Sequence, residues 1–140
     1  MPKVAKTKIK KPSRTSLIKK LDTECSIYIR TRLSKNGEAE CFTCGKKDSW
    51  KNLQCGHFMS RKHYSTRWNE INCQVQCVGC NVYRYGEQYK FGVKLNQIYG
   101  EGCSQNLDTT TRQIYKIKDF ELIEKIEYYK NINNNLHIKN

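Results

Sequence analysis

Two Cys-x-x-Cys pairs, Cys41/Cys44 and Cys77/Cys80, constrain this chain more than any other feature. Such pairs, well separated in sequence, supply the four thiolates that a structural zinc ion takes in a tetrahedron. One ion on all four would pin residues 41–46 against residues 77–81, so the fold must bring them together. The eight cysteines could instead pair as disulfides. The basic N-terminus is not followed by an apolar run, so no secretory signal and no oxidising compartment are expected. Cys25, Cys55, Cys73 and Cys103 form no comparable pair. They read as small buried apolar residues, with a second metal on Cys55, Cys73 and a histidine as the lesser alternative.

Charge sets the partner. Lys and Arg number 26 against 13 Asp and Glu, a net charge of +13. That excess points to a polyanion, most often nucleic acid. It is concentrated at the front: residues 1–37 hold eleven cations against only Asp22 and Glu24. With 140 residues, 37% of them hydrophobic, one small domain with tails is expected. No run approaches the ~20 apolar residues of a membrane span, which excludes a transmembrane protein, and a large enzyme with a deep cavity is excluded as well.

Residues 1–14 are Lys-rich and nearly free of large apolar groups, and read as a disordered basic arm. A single domain follows at 15–131, its core at about 38–100, with 132–140 as a frayed tail that contains His137. Leu17, Leu21, Cys25, Tyr28 and Leu33 recur at helical spacing, with Thr15 or Ser16 as cap and Asn36-Gly37 as stop. The opposite face carries Lys19, Lys20, Arg30 and Lys35 for a phosphate backbone. In CFTCGK (41–46) the glycine after the second cysteine permits a zinc knuckle. Residues 50–53 and 54–59 read as short strands or a hairpin. SRKHYSTRWNE reads as a basic loop whose Arg61, Lys62, His63 and Arg67 can meet substrate phosphates. QCVGCNVYRYG should open a helix carrying two zinc ligands. The expected class is therefore α+β, a treble-clef or ββα-metal core flanked by an N-terminal helix and C-terminal helices. A further helix fits 87–99, with Phe91, Leu95 and Ile98 on one face and Gly100 as stop. A last helix fits 119–131, with Phe120, Ile123, Ile126 and Tyr129 on one stripe.

Three polar residues gather around this core. His57 ends the expected hairpin, Asn72 precedes the second cysteine pair, and Asn81 follows it. An imidazole can deprotonate water near neutrality. An amide oxygen can hold a hard divalent cation. Asn72 can orient the imidazole or brace the loop. Each has a plainer reading as an ordinary structural or surface residue; the placement of His57 between the cysteine pairs, with Asn72 and Asn81 on either side of the second pair, favours the functional one.

The run GHF followed by N-x-Q-x-Q-C-x-x-C-N resembles the zinc-bearing HNH nuclease motif. YIRTR (28–32), CFTCGK (41–46), CGHFMSR (55–61) and RWNEINCQVQCVGCN (67–81) resemble, in order and spacing, the phage recombination proteins of the NinG/Rap type, over roughly residues 16–130. The resemblance implies a structure-specific endonuclease acting on branched recombination intermediates such as Holliday junctions and D-loops. It implies that His57 is the general base, Asn72 the orienting residue, Asn81 a ligand of a catalytic Mg²⁺ or Mn²⁺, and Arg61 a phosphate contact. It also implies that Cys41, Cys44, Cys77 and Cys80 hold structural zinc. Many HNH nucleases carry another metal ligand just before the histidine, where this chain has Gly56. His57, His63, or water and substrate phosphate would complete that shell. Branched DNA as partner, a homodimer for paired cuts and a place in the host cytoplasm complete the expectation. The competing readings are a non-catalytic zinc module that binds nucleic acid and a protein that docks on recombinases.

Overall fold

Ser13 opens the first helix: its hydroxyl accepts from Ser16 N, and α1 runs Arg14–Thr31. The computed structural model describes residues 1–5 and 9–139, without the side chains of 137–139. Part of the expected basic arm (6–8), the His137 side chain and the last residue of the expected tail therefore lie outside the described residues.

α1 buries Leu17, Leu21 and Cys25 of the expected stripe, but Ile29 replaces the half-buried Tyr28 as its next buried residue, and Leu33, past the end of the helix, is 76% exposed. It packs chiefly on α5 (Asp119–Lys139), which contributes Leu122, Ile126 and Tyr129 to the same core, joined by Trp68, Cys73 and Ile117. The buried stripe of α5 differs from the expected one. Phe120 is 57% exposed and Ile123 42%, while Leu122 is fully buried. The helix also continues past Asn131. Asn133 is buried there, and its Nδ2 donates to the backbone oxygen and a carboxylate oxygen of Glu24, both at 2.9 Å. This polar anchor on α1 carries the helix into the segment expected to fray.

Two small antiparallel sheets make the β part of an α+β domain. β1 (Glu38–Glu40) pairs with β2 (Lys47–Ser49), and the CFTCGK turn joins them. A 3-10 turn covers Trp50–Asn52, where a strand was expected. β3 (Gln54–His57) pairs not with that neighbour but with β4 (Cys73–Gln76), Cys55 opposite Val75 and His57 opposite Cys73. The connection between β3 and β4 holds the short helix α2 (Tyr64–Arg67). After β4 the expected helix shrinks to one π-helical turn, Gly79–Tyr83. Tyr85, Gly86 and Glu87 then take positive φ, which ends any helix.

α3 (Gln88–Tyr99) buries Phe91, Gly92 and Leu95 and stops at Gly100, φ +112°. Ile98, expected on the face of Phe91 and Leu95, is 56% exposed while those two are fully buried. α4 (Cys103–Thr111) sets Leu107 against Phe42, Phe91 and Leu95 in a separate small core.

Candidate functional site

The four paired cysteines converge. The sulfurs of Cys41, Cys44, Cys77 and Cys80 all lie within 4.8 Å of one another. Cys44 Sγ and Cys77 Sγ are 3.7 Å apart. Zinc–thiolate bonds of about 2.3 Å put tetrahedral sulfurs about 3.8 Å apart, so the cage fits the ion. The local fold explains the convergence. Cys41 N donates to Lys46 O at 2.8 Å and Gly45 N to Cys41 O at 2.9 Å, closing the knuckle through Gly45 at φ +79°. Cys80 N donates to Cys77 Sγ at 3.4 Å, and Arg84 Nη2 to Cys80 Sγ at 3.2 Å. Burial works against the Cys41 thiolate, but hydrogen bonds from Thr43 and the neighbouring backbone bring that thiol down to about 6. Burial and the three sulfurs around it push Cys44 up to about 12. Sulfur anions so crowded repel one another unless a dication neutralises them. The cluster could therefore hold a structural zinc, with every corner of the tetrahedron filled by protein.

Beside the cage opens a pocket of about 520 Å³, lined among others by Asp22, Arg30, Gln54, His57, Arg61 and Asn81. His57, at the end of β3, reaches the backbone oxygen of Arg67 through Nε2 at 3.0 Å. A carbonyl can only accept, so the proton sits on Nε2 and Nδ1 is left as the acceptor nitrogen. Burial holds the imidazole below its ordinary value, helped by the Arg61 and Arg67 charges and opposed by the Arg67 backbone bond and Asp22. His57 is thus a neutral base at neutral pH.

Asn81 stands in the π-helical turn across from β3, where its Nδ2 donates to Gln54 Oε1 at 2.8 Å. That bond turns the amide and leaves Oδ1 as its acceptor. Asn72 does other work. It is fully buried; its Oδ1 accepts from Met59 N at 2.7 Å, and its Nδ2 donates to Met59 O and Thr66 O at 3.2 and 3.0 Å. Its side chain clasps the β3–β4 connection at two points and makes no hydrogen bond to the imidazole.

The basic loop divides. Arg61 is exposed at the pocket; Lys62 is exposed and His63 half-buried, and neither lines it. Arg67 turns inward. Its Nε and Nη2 grip the two carboxylate oxygens of Asp22 at 3.0 and 2.6 Å, while Trp68 Nε1 adds a bond to Asp22 Oδ1 at 2.9 Å. Arg67 therefore supports the loop with its guanidinium and the imidazole with its carbonyl, instead of reaching for phosphate. Gly56 has a reason to lack a side chain. A Cβ there would collide with the side chain of Gln76, which is fully buried and ties Thr43 Oγ1 to Gly86 O at 3.0 Å each.

The sequence reading missed Asp22 and Gln54, which carry no motif of their own, and put Arg30 on an outer face. It read Cys55 and Cys73 as small buried apolar residues, with a second metal shared with a histidine as the lesser alternative. Their sulfurs and an imidazole nitrogen of His57 lie within 4.8 Å of one another. Cys73 Sγ donates to the same Arg67 oxygen as His57, at 3.2 Å. Hydrogen bonding with Cys25 and Cys55, together with full burial, pushes its thiol well above the ordinary value.

The family model NinG, described as bacteriophage lambda NinG protein, matches residues 2–138. The chain belongs to the NinG family. Family membership gives this NinG chain a role related to phage recombination. No curated protein and no solved structure matches it. Among the described residues no helix is long and apolar enough to cross a membrane.

Proposed function

We propose that the protein is an HNH-type endonuclease that hydrolyses phosphodiester bonds in branched recombination intermediates, Holliday junctions and D-loops. One observation supports this reading above the others: a neutral imidazole with Nε2 engaged by a backbone carbonyl shares a pocket with Asn81 and Arg61. His57 Nδ1 takes the proton of a water whose oxygen attacks phosphorus, and the bond to the 3′ oxygen breaks. Asn72 holds the β3–β4 connection in place through Met59 and Thr66, and the Arg67 carbonyl keeps the imidazole in one tautomer. Arg61 meets the phosphate backbone. Among the protein groups, Asn81 Oδ1 would hold a Mg²⁺ or Mn²⁺ ion, which would polarise the phosphate when bound. One firm oxygen is a thin donor set. It suffices for Mg²⁺, which keeps several waters and takes substrate phosphates as ligands.

The +13 charge supplies affinity without base readout, so branch shape and phosphate position select the site. A four-way junction is two-fold symmetric, and paired cuts call for two copies of the chain.

The donor set also favours a second reading, a zinc module that binds branched DNA without cutting it. Among the described residues the only carboxylate on the pocket lining, Asp22, is occupied by Arg67 and Trp68, and Gly56 offers no ligand. A labelled four-way junction incubated with the protein and Mg²⁺ or Mn²⁺ separates the two. The nuclease reading expects nicking by the wild type and none by His57→Ala at equal zinc content and junction affinity. A wild type that binds but leaves the junction intact with both metals supports the binding module.

A further inference from the structure

Among the described residues Arg30 is held in the pocket without a counterion. It sits near the end of α1, where Nε donates to Ser26 O at 3.2 Å and Ser26 Oγ at 3.0 Å. Nη1 donates to Trp50 O at 3.2 Å, and the guanidinium carbon lies 5.0 Å from the Trp50 ring centroid. These contacts fix the side chain on two neutral carbonyls, a hydroxyl and an aromatic face. None of them neutralises it. Among the described residues Arg30 joins no ion pair, and no hydrogen bond engages its Nη2.

The nearby groups do not balance the charge. Asp22 lines the same pocket, but both its oxygens are taken by Arg67 and Trp68. Arg61 adds a second cation at the rim. Burial bears on the guanidinium and lowers its proton affinity, with the Cys55 thiol working the other way. A partly buried cation without a partner is costly, and an anion entering the pocket removes that cost. A guanidinium presents a planar fork suited to the paired oxygens of a phosphate. The pocket, at about 520 Å³, has room for a phosphodiester and an adjoining sugar.

We propose that Arg30 is a phosphate seat: its guanidinium, held against Trp50 and Ser26, binds the non-bridging oxygens of one backbone phosphodiester in the pocket shared with His57 and Asn81. That this phosphate is the scissile one rests on the nuclease reading; the binding does not. Trp50 and Ser26 position the fork, and the seat sets which phosphate of a branched strand lies beside the imidazole.

The test measures binding, with cutting switched off. In a His57→Ala protein, the affinity for a four-way junction is measured while a single neutral methylphosphonate is moved along the strand, one position at a time. With Arg30 present, neutralising one phosphate near the branch should weaken binding about 10- to 100-fold, the range for hydrogen bonds to a charged group. In Arg30→Gln with His57→Ala that position should lose its effect while the penalties elsewhere stay. Arg30→Lys retains the positive charge and guards against misfolding of the glutamine variant. It should shrink the penalty at the same position without erasing it. Penalties that stay the same at every position in both variants overturn the seat. A wild type that never cuts but shows the Arg30-dependent position keeps the seat and discards hydrolysis. A wild type that cuts without any such position discards the seat and keeps the nuclease.

Discussion

His57 Nε2 and the backbone oxygen of Arg67 lie 3.0 Å apart, and because a carbonyl can only accept, this contact leaves Nδ1 as the acceptor nitrogen. With burial keeping the ring neutral, it also sets a pH response. A depressed value means that the folded protein resists protonation below the ordinary midpoint of ~6.5. The acid limb of a single-turnover cleavage profile should therefore fall below that midpoint, and a limb at or above it would contradict the assignment of His57 as base. Stability follows the same sign. The unfolded chain binds the proton first, so the His57 contribution is complete above ~6.5 and is lost as the pH drops from there towards the folded value.

Asp22 should control that profile without touching substrate. It grips Arg67 through both carboxylate oxygens, and Arg67 in turn presents the carbonyl to His57. Asp22→Asn removes the charge from a pair whose side chains are only 22% and 16% exposed. The expected cost is about 1.5–3 kcal/mol in urea denaturation, with the acid limb displaced from its wild-type position. A variant with wild-type stability and an unmoved limb would show that the clamp does not position the base.

Gly56→Ala should destabilise the fold by about 1–3 kcal/mol, because its Cβ meets the buried side chain of Gln76. Pairing it with Gln76→Ala opens the space, so the double variant should lose less than the sum of the two single losses. Strictly additive losses in denaturant midpoints would mean that Gln76 is not the obstacle.

Zinc removal should unfold the β1–β2 knuckle and the turn after β4 together, since the four sulfurs join two segments that share a small core of Ala39, Leu53 and Val75, with Trp50 packed against it, besides the cysteines. Structural zinc contributes about 10–16 kcal/mol in small zinc peptides, more than a domain of this size typically has in reserve. Metal analysis should find one zinc per chain, and chelation or Cys77→Ser should abolish the cooperative thermal transition. A Cys77→Ser protein that melts like the wild type would remove zinc from the folding argument.

The sequence by itself determined what depends on near neighbours. The Cys-x-x-Cys spacing, the glycine of CFTCGK and the periodicity of Leu17, Leu21 and Cys25 act within a turn or two, so they report the cysteine pairs that could hold zinc and α1 directly. His57 and Asn81 stood out because they flank those pairs. Tertiary structure decided the rest, because it depends on which distant groups meet. β3 could have paired with the segment just before it; it pairs instead with β4, whose Cys73 faces His57. Arg67 looks like a surface cation until Asp22, on a helix far away in sequence, turns it inward. Phe120 and Leu122 are equally apolar, and only the approach of α1 buries Leu122 and leaves Phe120 outside. Arg30 shares a helix with cations that face solvent. Its place in the pocket comes from Trp50, held across from α1 by a turn that helical periodicity does not encode.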